Sequence, residues 1–99
     1  MSLLPKSNTE LESSVEKKVV AWAKRNDYLC RKMNGMGYNG WPDRLLISKS
    51  GTIIWVELKR TTGKLSELQE RLIDTLRNYG QNVIIAYGYE DFLKQMEAL

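Results

Sequence analysis

Histidine is missing from all 99 residues of the chain. That absence removes Ser-His-Asp hydrolases, His-dependent nucleases and His-ligated zinc sites together, so any catalysis has to use carboxylates, lysine or an oxygen-held metal. Cysteine is nearly absent: Cys30 stands alone and cannot close a disulfide within the chain. No apolar run is long enough to span a bilayer, and the N-terminus lacks the charged-then-apolar order of a secretory leader. These absences predict a cytoplasmic protein with no membrane partner. Charge of one sign is also modest. A net charge of +3 and a pI near 9.1 permit a nucleic-acid partner without demanding one.

What is present is ordinary for a globular chain, with 42% hydrophobic and 27% charged residues. The length suits one small domain. Residues 1–8, with Pro5 and few apolar anchors, predict a loose tail, and residues 9–99 a single domain. Thr9 and Glu12 form a capping-box pattern before Leu11, Val15, Val19 and Trp22, whose spacing predicts an amphipathic helix to about Asn26. Tyr28–Met33 reads as a strand. A second capping-box pattern, Ser66 with Gln69, opens a helix carrying Leu68, Leu72, Ile73, Leu76 and Tyr79, and Gly80 closes it. Val83–Ala86 reads as a strand buried on both faces, paired parallel to 52–59 by a crossover. Phe92, Leu93, Met96 and Leu99 share one side of a last helix.

The chemistry lies in the middle of the chain. Leu45–Ser48 and Thr52–Val56 are rich in β-branched and aromatic residues, and Lys49-Ser50-Gly51 between them predicts a three-residue hairpin loop with Gly51 in the left-handed region. Ser48 then faces Thr52, paired residue numbers sum to 100, and Asp43 comes opposite Glu57. A two-residue loop would instead set Arg44 against Glu57. Opposed carboxylates have Cβ atoms roughly 4.5–5.5 Å apart and repel unless neutralised, for which Mg²⁺ or Mn²⁺ suits an all-oxygen pair. Lys59 projects from the same face as Glu57 and could stabilise charge on a phosphate or orient water. Arg60, Lys64 and the intervening polar residues form a candidate phosphate-contacting loop. Trp41 is read as mainly core, and Tyr38, in the Gly-rich stretch Asn34–Gly40, as mainly a substrate contact.

Pro42-Asp43 followed by Glu57-Leu58-Lys59 resembles the PD-(D/E)XK nuclease signature. The fit is closest to its VRR-NUC branch, through the N-terminal helix with Glu16, the Gly-rich approach to Trp41-Pro42-Asp43-Arg44, and Leu65-Ser66-Glu67-Leu68-Gln69 opening the next helix. Leu58 stands where Val is common in relatives. The resemblance implies a restriction-endonuclease-like α/β core, an αβββαβ mixed sheet flanked by helices. It implies metal ligation by Asp43, Glu57, the Leu58 carbonyl and Glu16, with Lys59 catalytic and Gln69 supporting. Arg44, Arg60, Lys64 and Tyr38 are the expected DNA contacts. Stand-alone members resemble homodimeric four-way junction resolvases and are familiar in phage genomes, which would place the protein in a bacterial host cytoplasm. A monomeric flap or nicking nuclease and an inactive DNA-binding module are the alternatives.

Overall fold

The computed structural model describes residues 11–33 and 39–99. The expected tail over residues 1–8, the cap residue Thr9 and the expected substrate contact Tyr38 lie outside the described residues. The elements in order are α1 (Glu12–Arg25), β1 (Leu29–Lys32), β2 (Arg44–Ile47), β3 (Ile53–Lys59), α2 (Glu67–Asn78), β4 (Asn82–Tyr87) and α3 (Tyr89–Glu97). They form a mixed four-stranded sheet in the order β1-β2-β3-β4, antiparallel until β4 joins β3 in parallel. Among the described residues no helix is long and apolar enough to cross a membrane.

The hairpin register follows from its loop. Gly51 has φ +90°, its N–H reaches the Ser48 carbonyl at 3.0 Å, and Ser48 N–H reaches the Thr52 carbonyl at 2.9 Å. Arg44 therefore faces Val56, Leu45 faces Trp55, Leu46 faces Ile54 and Ile47 faces Ile53. Every pair sums to 100, so the two-residue alternative is excluded.

Alternation along β3 then divides the molecule. Ile54, Val56 and Leu58 pack with Val15, Val19 and Ala23 of α1 and Phe92 of α3 in one buried cluster. Trp55, on the opposite face, packs with Trp41 and with Ile73 and Leu76 of α2. Two expectations fail at helix ends. Leu11 is the N-cap of α1, in extended conformation and 55% exposed, because a cap lies outside the helical period that would have turned it inward. Leu68 (51% exposed) and Tyr79 (80% exposed) face away from the core, since Ile73 and Leu76 already fill the stripe that α2 presents to the sheet. Leu99 is likewise 62% exposed, beyond the end of α3.

Candidate active site

The ladder between β2 and β3 stops at Arg44 and Val56. One step further, Pro42 would face Leu58, but proline has no N–H to donate and the Leu58 N–H needs an acceptor inside the protein. Asp43 supplies it: its Oδ2 accepts from Leu58 N–H at 2.7 Å. The carboxylate is thereby turned into the gap where β2 has ended. Lys59 accepts from Gly88 N–H at 3.0 Å on the β4 side, so by alternation the Leu58 carbonyl points the other way, toward Asp43.

The loop that carries Asp43 is held from two sides. Met33 N–H donates to the Asp43 carbonyl at 2.8 Å, and Pro42 is fully buried. Gly40, at φ +86°, sits so close to α2 that a Cβ there would lie 2.7 Å from Leu68 Cγ. Trp41 packs on Trp55 with ring centroids 5.4 Å apart.

Glu57 is the one buried charged residue among those described, at 2% exposure. Burial, and next the neighbouring Asp43 charge, push its carboxyl up to about 7. Asp43 is raised as well, by burial first, against the opposing Leu58 hydrogen bond. Such a pair resists holding two negative charges by itself. Lys59 Nζ lies 3.4 Å from Glu57 Oε2, with its side chain 14% exposed. Gln69 Nε2 donates to the same oxygen at 3.2 Å. The structure thus brings Asp43, Glu57, Leu58, Lys59 and Gln69 together.

The remaining expected residues are placed differently. Glu16 lines a cleft with Glu12, Ser13, Lys32, Asp43 and Leu58, but its Oε1 lies 3.3 Å from Arg44 of β2. Arg44 is therefore turned inward against α1, its side chain 15% exposed, rather than outward as a DNA contact would be. Arg60 and Lys64 are exposed on the connection after β3. Glu12 is the acid that sequence reasoning passed over, having been absorbed by the cap pattern. It is the first residue of α1, and its charge is felt by both Asp43 and Glu57. The signal was available, since Glu12 and Glu16 are four apart on one helical face. Lys32 was missed too, because its strand carries no distinctive pattern.

Among the described residues no three His, Cys, Asp or Glu side chains converge closely enough to hold an ion by themselves. The donor set still fits magnesium or manganese. Two carboxylates with raised proton affinity and a carbonyl on one side match an ion that takes one or two carboxylates and completes its shell with water and phosphate.

Comparison with known proteins agrees with this geometry. The family model for the VRR-NUC domain matches residues 4–90. A solved structure titled "VRR_NUC domain" is similar at 30% sequence identity and a TM-score of 0.80, covering 87% of this chain and 94% of its own. No curated protein matches the chain.

Proposed function

The chain belongs to the VRR-NUC family, and from that premise we propose a divalent-metal-dependent endonuclease that acts, as a homodimer, on four-way DNA junctions. The family implies a nuclease-type function and hence DNA as substrate. The observation that carries the finer reading is the convergence of Asp43 and Glu57 at the open end of the hairpin, with Lys59 beside them.

Asp43, Glu57 and the Leu58 carbonyl would hold Mg²⁺ or Mn²⁺, with Glu16 and Glu12 adding negative potential from α1. When bound, the ion supplies an activated water and neutralises charge at the scissile phosphate. The chain's own residues do the rest. Asp43 is fixed by Leu58 N–H, so its carboxylate does not have to be ordered at the moment of binding. Lys59 is held in place by Glu57 and stabilises charge developing on phosphate oxygens. Arg60 and Lys64 contact the flanking backbone, sequence-independently. Arg44 contributes by holding Glu16.

Support for a second copy comes from the α2 face. An apolar groove of about 590 Å³ opens there, lined by Met33, Trp41, Trp55, Leu72 and Tyr79 among others, and Leu68 and Tyr79 extend it as exposed apolar surface. Two copies meeting across a two-fold axis on this face would present paired sites to a two-fold-symmetric junction. The work would be done in the cytoplasm.

The test is cleavage of a labelled immobile four-way junction beside linear duplex, flap and single strand, in Mg²⁺ or Mn²⁺. Symmetric nicks in the junction are expected, lost by at least about 10²-fold in Lys59→Ala. Cleavage mainly of flap or duplex would keep the nuclease and remove the resolvase. Metal-independent binding without cleavage would leave an inactive DNA-binding module, and a monomer by light scattering with and without DNA would end the paired-site reading.

A further inference from the structure

Gln69 does two things at once. Its Oε1 accepts from the backbone N–H of Ser66 at 2.9 Å, while Ser66 Oγ accepts from Gln69 N–H at 3.1 Å, a complete capping box for α2. Capping alone does not explain glutamine. The box needs only an acceptor at that position, which glutamate provides equally, with a negative charge that suits a helix N-terminus. Glutamate there would put a third carboxylate against Glu57.

The grip on Oε1 has a directional consequence. With its oxygen held by Ser66, the amide can offer only its NH₂ group to the sheet, and Nε2 donates to Glu57 Oε2 at 3.2 Å. A flipped amide would set its oxygen against a carboxylate and its NH₂ against a backbone N–H, so both ends oppose the flip. Lys59 reaches the same Oε2 from the other side at 3.4 Å. Two donors on one oxygen fix the rotation of the carboxyl group and keep Oε1 clear of them both.

We propose that Gln69 is a positioning residue, which uses the helix cap of α2 as its anchor to fix the Glu57 carboxylate for a divalent cation. This rests on Glu57 being a cation-holding group. The first turn of α2 is then part of the site's frame, although it touches neither metal nor DNA. Groups that orient a metal ligand from behind commonly matter 10- to 100-fold for affinity when removed.

Two variants separate the cap from the clamp. Ser66→Ala removes the Oγ acceptor but leaves the backbone N–H that holds Gln69. Gln69→Met keeps the size and removes both the acceptor and the donor. Both should melt a few degrees lower. Only Gln69→Met should lower Mn²⁺ affinity, by about tenfold in calorimetric titration, with Ser66→Ala within twofold of the parent. Equal affinities in the two variants would overturn the proposal. Nuclear magnetic resonance of the metal-free protein gives a reading independent of metal and cleavage. The Gln69 side-chain NH₂ should be slow to exchange and should lose that protection in Glu57→Gln; solvent-like exchange in the parent would also overturn it. Should the parent bind no Mn²⁺ at all, the nuclease reading fails there, while the resonance still decides whether Gln69 holds Glu57.

Discussion

The two faces of the sheet are built to different standards. On the side of α1 and α3, Leu46, Ile54, Val56, Leu58, Ile84 and Phe92 are at most 3% exposed and form one closed core. On the side of α2, burial is confined to Ile73, Leu76 and Val83 with half-buried aromatics around them, and the groove beside Trp41 stays open. β3 serves both. Its even-numbered residues are core, and its odd-numbered ones run Trp55, Glu57, Lys59 from packing into chemistry. The closed face supplies the stability that lets the open face hold a buried carboxylate and exposed apolar surface at all.

The largest way to test that division is to damage the closed face. Phe92→Ala should cost about 3–5 kcal/mol, since the ring is fully buried against Trp22 and Tyr89, while cleavage per folded molecule persists. Chemical denaturation with an activity assay on the folded fraction checks both halves.

Glu57→Gln attacks the open face and should do the reverse. Because the Glu57 carboxyl is raised to about 7 from 4.5, the unfolded chain gives up that proton first. Its contribution is fully present below about pH 4.5 and declines as pH rises through about 7, and the loss amounts to roughly 3 kcal/mol. Asp43, also raised, acts in the same direction. Melting of metal-free protein should therefore fall between pH 5 and 8 and flatten in Glu57→Gln, which should be more stable than the parent at pH 8 and inactive. Added Mn²⁺ should restore the parent at pH 8 but not the variant. A parent melting curve independent of pH would remove this account of Glu57.

Smaller effects sharpen the boundary between the faces. Gly40→Ala should cost roughly 1–3 kcal/mol, from left-handed strain and the approach to Leu68. It should lower metal affinity more than its stability loss suggests, because Asp43 hangs on that loop. Tyr79→Ser should change monomer stability by no more than about 0.5 kcal/mol, the side chain being 80% exposed, yet weaken self-association in sedimentation if α2 is the paired surface.

Much of this was legible because it depended on local rules. A Gly in the left-handed region after a three-residue turn fixed the register, and with a period of two along each strand the register brought Asp43 to Glu57's end of the hairpin. The Ser66–Gln69 box was readable for the same reason: its partners are three residues apart. Glu12 was hidden because one residue fitted two local patterns, and the cap pattern was taken. Arg44 was misplaced because its partner, Glu16, is twenty-eight positions away and no local rule connects them.

The sequence by itself determined the strand and helix order, the hairpin register and the types of group available for catalysis, since each follows from periodicity, turn chemistry and the missing histidine. Only the tertiary structure decided what those groups meet. That Asp43 takes a backbone N–H left over by Pro42, that Gln69 reaches across from α2 to Glu57, and that burial holds the Glu57 proton near neutrality are consequences of packing distant segments together. Desolvation and hydrogen-bond direction belong to an assembled environment, and no stretch of chain carries them alone.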